Sequence, residues 1–251
     1  MIALFPYTPF KKKNAKGSEA LNENNLVCRA LREIKKRNRN IGIMCDVALD
    51  PYTNHGHDGV IHNKDVDNDK TIEILLKQSL LQAQMGCDVI APSDMMDGRI
   101  GRIRKNLDKN NFTNTKILSY AVKYASNFYG PFRDAVGSNK NFKGNKKTYQ
   151  MDYKNSNEAL REIGLDIKEG ADMVMIKPGM PYLDIIRIAK DNFKIPIFAY
   201  QVSGEYSILT NAIKKNLIDK GAILESLVSL KRAGSSAIVT YFALEIAKKL
   251  D

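Results

Sequence analysis

The amino-acid sequence predicts an α/β fold of the TIM (β/α)8-barrel type, with residues 1–251 forming a single barrel domain. A chain of 251 residues suits one large barrel, and 43% of them are apolar, enough to fill a core. Short apolar runs alternate with segments of helical periodicity, which is typical of a parallel sheet covered by helices. Polar or reactive side chains follow nearly every run, at the end where barrel enzymes carry their active sites. An open doubly wound sheet fits this distribution less well, because it uses only the loops at its switch point.

Seven apolar runs are predicted to form the strands. They cover residues 2–7, 41–47, 88–92, 116–122, 172–176, 196–202 and 237–242. Apolar residues at three- and four-residue spacing predict helices over 71–84, 157–168 and 182–191. Asp69 and Asn157 are predicted helix N-caps, and Gly86 and Gly170 are predicted to end helices. A complete barrel has eight strands, so we expect the first βα unit to be missing ahead of Met1.

The longest irregular segment, residues 133–157, is predicted to be a lid over the barrel mouth. It holds glycine, asparagine and lysine with few large aliphatic residues, and it follows a strand that ends beside a reactive lysine. Disorder is the alternative interpretation. Arg133, Lys146 and Lys147 lie on this segment and could close over a substrate carboxylate, although solvated loop charges would give the same pattern.

Charge and cysteine content limit the classes of partner. The net charge of +11 comes mostly from scattered lysines, which favours solvated helix faces over a specific anionic surface. Basic residues are not interleaved with aromatic ones, so no nucleic-acid partner is expected. No apolar run reaches about 18 residues, so no membrane span is expected either. Three cysteines without metal-ligand spacing indicate reduced core residues and a cytoplasmic location.

Lys123 and Lys177 are the strongest catalytic candidates. Each ends an apolar run, where burial would lower the pKa of the amine and free it as a nucleophile. Either lysine alone could instead extend its ammonium group into water. Two at the same end of a barrel would depress each other's pKa, which favours Schiff-base chemistry on a small keto acid.

An acidic segment after the second run is a candidate metal or acid/base loop. It contains Asp46, Asp50 and Asp58 with His55 and His57 between them. A zinc hydrolase would need more histidines than the three in the chain, so Mg²⁺, a monovalent ion or no ion is favoured. A loop held by local Asx turns is the alternative. Glu162 and Asp166 share a helix face, which indicates either a metal site or a solvated acidic surface.

Several longer motifs resemble the porphobilinogen synthase family, the delta-aminolevulinic acid dehydratases, over the whole chain. They are SYAVKYAS at 119–126, FYGPFR at 128–133, MIKP at 175–178, YQVSGEY at 200–206 and KRAG at 231–234. The resemblance implies a lyase that condenses two molecules of 5-aminolevulinate to porphobilinogen in heme biosynthesis, with loss of two waters. Another Schiff-base barrel enzyme of the class I aldolase type, or an inactive truncated remnant, remains the alternative.

The resemblance also implies a role for each site residue. Lys177 would bind the first substrate and Lys123 the second, both as Schiff bases. Asp46 and Ser93 would handle protons. The carboxylate of the first substrate would contact Ser203 and Tyr241. The second substrate would contact Arg133, Lys146 and Gln150.

Metal use and assembly follow from the same resemblance. Zinc-dependent members carry three cysteines where this chain has Ala48, Asp50 and Asp58, which implies a zinc-independent, aspartate-rich subtype without an organic cofactor. Asp50 and Asp58 could bind Mg²⁺ or a monovalent ion weakly, and Glu162 matches the ligand of a regulatory Mg²⁺. Family members form octamers through an N-terminal arm, which is expected to be missing ahead of Met1 together with the first strand and helix.

Overall fold

A computed structural model describes residues 1–135 and 145–249, and the side chains of residues 133–135 lie outside this description. The strands are β1 Ile2–Leu4, β2 Ile43–Val47, β3 Ile61–His62, β4 Asp65–Val66, β5 Val89–Pro92, β6 Lys116–Lys123, β7 Met173–Lys177, β8 Ile197–Tyr200 and β9 Ala237–Val239. The helices are α1 Leu26–Arg37, α2 Asn68–Gln84, α3 Arg99–Lys109, α4 Gly130–Ala135, α5 Asn157–Glu169, α6 Leu183–Asn192, α7 Ser203–Lys214, α8 Ala222–Ala233 and α9 Ala243–Ala247. Short 3₁₀ helices cover Phe10–Lys12, Ser18–Leu21, Asn127–Tyr129 and Met180–Tyr182.

Seven parallel strands form one nearly closed barrel, in the order β1-β2-β5-β6-β7-β8-β9. The strand order follows the chain order, as expected when each strand is joined to the next by a helix packed on the outside. β1 and β9 are the two ends of the order among the described residues. The short β3–β4 hairpin is antiparallel and lies outside this sheet. The predicted α/β barrel with seven visible strands is therefore confirmed.

Buried side chains separate into an interior layer and an outer layer, because successive strand residues point to opposite faces. The barrel interior holds Met44, Tyr120, Met175, Phe198 and Tyr200 among others. Two further clusters fill the space between the strands and the helices. Both faces of the strands are thus covered, which explains their continuous apolar runs.

The predicted segments are recovered, with corrections at their ends. The strand predicted over 116–122 extends to Lys123, and those predicted over 2–7, 196–202 and 237–242 are shorter at their C-terminal ends. The capping predictions for Asp69 and Asn157 are wrong: Asp67 accepts from the Lys70 N–H, and Asn155 accepts from the first amides of α5. Gly170 ends α5 with a left-handed φ of 105°, as predicted.

The segment predicted as a lid, residues 133–157, is described only in part. Residues 136–144 lie outside the described residues, and so does the side chain of Arg133. The described remainder, residues 145–156, runs along the barrel mouth, where Met151 and Tyr124 form an isolated parallel bridge. The lid therefore stays a prediction.

Candidate active site

An extra residue in β6 places the two candidate lysines side by side. Ser119 pairs with Val174, but Val122 pairs with Ile176 and Lys123 with Lys177, so β6 contains one more residue than β7 over this stretch. Such a bulge reverses the side-chain alternation beyond it. Ala121 and Val122 both pack in the outer layer. As a result, Lys123 and Lys177 occupy matched positions on neighbouring strands and face the same cavity.

Lys177 is buried in a group of aromatic rings, here called the aromatic cage, formed by Tyr120, Tyr129, Phe132 and Tyr200. Its Nζ lies 4.6 Å from the ring centre of Tyr200, 5.3 Å from those of Tyr120 and Tyr129, and 5.6 Å from that of Phe132. Burial, followed by the positive charge of Lys123, lowers the pKa of Lys177 to about 7. A substantial fraction of this amine is therefore neutral at physiological pH and can act as a nucleophile.

Lys123 is equally buried but has polar partners. Its Nζ donates to Asp58 Oδ1 at 3.2 Å and to the backbone carbonyl of Ser93. The Lys123 side chain is 7% exposed and that of Asp58 is 1% exposed, so the ion pair is shielded from water. The cavity thus contains one lysine surrounded by aromatic rings and one held by a carboxylate.

Asp58 joins three side chains at the mouth of the barrel, which we call the Asp58 network: Lys123, Lys146 and Tyr149. Lys146 Nζ lies 2.8 Å from Asp58 Oδ2, and the Tyr149 hydroxyl donates to the same oxygen at 2.7 Å. Lys146 also lies 3.5 Å from Asp50 Oδ2. Burial alone would raise the pKa of Asp58, but the two ammonium groups hold it well below its usual range. Asp58 is therefore ionised at neutral pH.

Asp46 is the candidate proton-transfer group of the cavity. Burial, helped by the negative charge of Asp50, raises its pKa to about 6, while a hydrogen bond from Ser93 and the two lysines oppose that rise. A carboxyl with a pKa near neutrality can both accept and donate a proton. The predicted neighbourhood of Asp46, Ser93 and Lys177 is observed in the structure.

The cavity is narrow, with a volume of about 30 Å³. Six predicted site residues line it: Asp46, Asp50, Asp58, Ser93, Lys123 and Lys177. Phe5, Pro6, Pro51 and Phe132 complete the lining with apolar surface. This combination of two amines, carboxylates and aromatic walls suits a small, polar carbonyl compound.

Other predicted substrate-binding residues lie beside the cavity rather than in its lining. Ser203 is buried and its Oγ accepts from the Phe132 N–H at 3.0 Å. Tyr241 is half exposed and hydrogen-bonds to the hydroxyl of Tyr200. Both therefore adjoin the aromatic cage of Lys177, on the side where the first substrate is expected.

Gln150 lies outside the lining of the cavity that holds Lys123. It is buried, its Oε1 has no hydrogen-bond partner among the described residues, and it lines a separate groove with Asp65 and Asp97. Its predicted contact with the second substrate would require a different side-chain position from the one in this structure.

Glu162 lies on α5 at the outer side of the barrel, near the buried Arg99. Arg99 Nη1 is 3.9 Å from Glu162 Oε1 and Arg99 Nε is 3.4 Å from Asp94 Oδ2. Burial and the neighbouring Asp166 raise the pKa of Glu162 to about 7. The described residues contain no group of three or more histidine, cysteine, aspartate or glutamate side chains placed to hold a metal ion. A cation at Glu162 would thus need water for most of its ligands, which is usual for Mg²⁺.

The carboxylates predicted to bind a weakly held ion contact lysines in this structure. Asp58 contacts Lys123 and Lys146, and Asp50 contacts Lys146. Cys28, Cys45 and Cys87 are buried, unpaired and outside the cavity lining.

Three features of the site were not predicted from the sequence. The aromatic cage was missed because its rings come from four separate positions. Tyr149 was missed although it lies three residues after Lys146, since no pattern indicates its contact with Asp58. Glu205 was missed as well: its buried carboxylate accepts from the backbone N–H groups of Val202 at 2.6 Å, Met180 at 2.5 Å and Gly179 at 3.4 Å. Glu205 thereby ties the loop after Lys177 to the loop before Ser203.

Comparison with known proteins gives a consistent result. The family described as delta-aminolevulinic acid dehydratase matches residues 1–249. The chain is 57% identical over 250 residues to the delta-aminolevulinic acid dehydratase of Bradyrhizobium diazoefficiens, covering 99% of this chain and 71% of that protein. It is 51% identical over 248 residues to the chloroplastic delta-aminolevulinic acid dehydratase 1 of Arabidopsis thaliana, covering 98% of this chain and 57% of that protein. The chain therefore spans less than two thirds of the length of this chloroplastic relative.

A solved structure agrees with the sequence comparisons. The delta-aminolevulinic acid dehydratase of Toxoplasma gondii, in complex with the reaction product porphobilinogen, superposes with a TM-score of 0.97 at 46% identity. The match covers 98% of this chain and 71% of the other. By its sequence, its fold and its relatives, this chain belongs to the delta-aminolevulinic acid dehydratase family.

Proposed function

We propose that this protein condenses two molecules of 5-aminolevulinate to porphobilinogen, with loss of two waters. The observation that carries the proposal is the pairing of Lys123 with Lys177 across β6 and β7, with both amines lining one cavity. A class I aldolase-type reaction needs one imine-forming lysine. Two adjacent buried lysines in different environments instead suit the joining of two keto-acid molecules.

The first imine is proposed at Lys177. Its neutral amine attacks the ketone carbon, the carbonyl oxygen leaves as water, and a C=N bond replaces the C=O bond. The aromatic cage excludes water from the new imine, and its rings stabilise the positive charge of the iminium form. Ser203 and Tyr241 are proposed to bind the substrate carboxylate, because they contact Phe132 and Tyr200 of the aromatic cage.

The second imine is proposed at Lys123. Its ammonium group must first lose a proton, and Asp46 is proposed as the acceptor because it lines the same cavity and has a pKa of about 6. An imine on Lys123 acidifies the adjacent C–H bond, so the resulting enamine can attack the imine carbon held by Lys177. Two waters leave in total, one at each imine, and both amines are regenerated when the ring closes. Lys146 and Arg133 are proposed to bind the carboxylate of this second substrate, with Gln150 after it moves.

The metal requirement is proposed to be limited to a regulatory Mg²⁺ at Glu162. The partly buried Glu162 carboxyl, with its pKa raised to about 7, would be stabilised in its ionised form by a divalent cation. At the cavity itself, zinc-independent catalysis is proposed, because Asp50 and Asp58 contact lysine ammonium groups. Weak binding of Mg²⁺ or a monovalent ion at these two aspartates remains a prediction.

Self-association and location are proposed from family membership and from the state of the cysteines. Self-association up to an octamer is proposed for the whole protein from family membership. A cytoplasmic location is proposed because the three buried, unpaired cysteines suit a reducing compartment. No helix in the described part of the chain combines the length and apolar character needed to span a bilayer.

Incubation of the protein with 5-aminolevulinate tests the proposed reaction. Mass spectrometry should reveal a product equal to two substrate molecules minus two waters. Borohydride reduction during turnover should leave a substrate adduct on the peptide containing Lys177. Neither product nor adduct at saturating substrate would refute the proposal, whereas an adduct without product would favour a one-lysine reaction.

A further inference from the structure

We propose that Tyr149 is a positioning residue for Lys123: its hydroxyl group fixes the rotation of the Asp58 carboxylate, and His57 in turn fixes the orientation of that hydroxyl. The inference rests on the proposed function, because it assigns a role in forming the second imine. Tyr149 does not line the cavity, so it acts on the reacting amine only through Asp58.

The two oxygens of Asp58 have different partners. Oδ2 accepts from the Tyr149 hydroxyl at 2.7 Å and contacts Lys146 Nζ at 2.8 Å. Oδ1 is left for Lys123 Nζ at 3.2 Å. Rotation of the carboxylate would exchange these oxygens and alter the direction in which the Lys123 amine points. A second donor on Oδ2, covalently placed by a rigid ring, opposes that rotation.

The proton positions in this chain of hydrogen bonds follow from counting donors. A tyrosine hydroxyl has one proton, and here that proton is given to Asp58. In the described part of the chain, His57 Nδ1 at 3.2 Å and the Asp58 backbone nitrogen at 3.4 Å also contact the hydroxyl oxygen, and both must therefore donate to it. His57 consequently carries a proton on Nδ1. With that proton in place, the hydroxyl group can direct its own proton only to the carboxylate.

Burial supports a permanent arrangement rather than a transient one. Asp58 is 1% exposed, His57 is 8% exposed and Tyr149 between them is half-buried, so water has limited access to these hydrogen bonds. The ring centres of His57 and Tyr149 are 6.0 Å apart. Burial and the charge of Asp58 raise the pKa of Tyr149, which keeps its hydroxyl group protonated as a donor. The chain His57, Tyr149, Asp58 and Lys123 thus connects a hydrogen-bond donor outside the cavity to the amine inside it.

The Tyr149→Phe variant tests this role with 4-oxopentanoate as the probe. This keto acid lacks the amino group needed to close the ring, so imines can accumulate and be reduced with borohydride. Peptide mapping then measures labelling of both lysines in one sample. We expect Lys177 labelling at the wild-type level and Lys123 labelling reduced about 10-fold or more, since the variant keeps the ring but loses the donor.

Unequal labelling separates positioning from a structural role. A general loss of packing would lower both lysines together, and equal loss, like unchanged labelling of Lys123, would overturn the inference. Tyr153→Phe is the matched control, because Tyr153 is 52% exposed on the same segment; both of its lysines should label normally. His57→Asn, which keeps an N–H donor, should reduce Lys123 labelling less than His57→Leu. If neither lysine of the wild-type protein is labelled, the proposed function itself fails, and the inference fails with it.

Discussion

Lys177 and Lys123 occupy paired positions on β7 and β6, yet their surroundings differ in kind. Four aromatic rings surround the Lys177 amine, whose pKa falls to about 7 through burial and the neighbouring charge of Lys123. The Lys123 amine contacts the ionised carboxylate of Asp58 and a backbone carbonyl. The comparison teaches that strand register can bring two identical side chains together, while the different side chains that contact each amine give the two lysines different reactivities. Among the described residues no carboxylate contacts Lys177 directly, and we expect this lysine to react first.

Replacement of Lys177 should give the largest effect. Lys177→Met removes the first nucleophile, and we expect turnover to fall by on the order of 10⁴-fold or more. Lys123→Met should also stop product formation but leave the Lys177 adduct trappable at higher pH, because loss of the Lys123 charge raises the pKa of Lys177 without removing its amine. Activity assays with peptide mapping check both variants. Lys168→Met, on the exposed surface of α5, serves as the control and should keep wild-type turnover. Retained turnover in Lys177→Met would contradict the role of Lys177 as the first nucleophile.

The same variant should change how stability depends on pH. The pKa of Lys177 is about 7 in the folded protein and 10.5 for a free side chain, so the unfolded chain binds more protons between these values. Its contribution to the free energy of unfolding therefore rises as pH increases from about 7 to 10.5, and it is constant below about pH 7, where the lysine is protonated in both states. Denaturant titrations at several pH values should show a smaller rise for Lys177→Met than for the wild type. An identical rise would contradict the burial of a lysine with a lowered pKa.

Loss of Asp58 should affect both stability and the second lysine. Asp58→Asn leaves Lys123 and Lys146 buried with a weakened counter-charge, at a cost of about 3–5 kcal/mol in the free energy of unfolding. Because the charge of Asp58 raises the pKa of Lys177, its removal should also move the half-maximum of Lys177 labelling to lower pH. Chemical denaturation and pH-dependent trapping measure the two effects. Asp65→Asn, at an exposed position, should show neither.

Mg²⁺ binding should give the smallest effect and should not distinguish the two lysines. We expect saturating Mg²⁺ to raise the melting temperature of the wild-type protein by a few degrees, because a ligand that binds only the folded state increases the free energy of unfolding. Glu162→Gln should abolish that rise, while Glu158→Gln, exposed on the same helix, should retain it. A rise of the same size in Glu162→Gln would place the ion elsewhere.

Much of the fold was predictable because barrel strands carry a strong local signal. All seven apolar runs form strands, since residues buried on both faces must be apolar whichever way they point. Strand ends were less predictable: the run predicted over 196–202 continues to Val202, whereas the last residue pair between β8 and β9 is Tyr200 with Val239. The N-cap of α2 was misassigned to Asp69 because Asp67, two residues earlier, has the same chemistry.

The site was predictable where one residue type at a strand end carries the chemistry, as for Lys123 and Lys177. Contacts between distant segments were not. The bulge in β6 is defined by its pairing with β7, which the sequence of β6 alone does not give. The Lys123–Asp58 ion pair joins residues 65 positions apart in the chain. The long-range packing that creates the aromatic cage likewise leaves no local pattern in the sequence.

The pH dependence of trapping at Lys177 tests the central claim most directly. The rate of adduct formation with 5-aminolevulinate can be followed from about pH 5.5 to 9.5, a window that brackets the lowered pKa. Because only the neutral amine attacks, we predict a rate that rises with pH, a half-maximum near pH 7, and Lys177 as the residue labelled first. A half-maximum near that of an ordinary lysine, or first labelling at Lys123, would contradict the account.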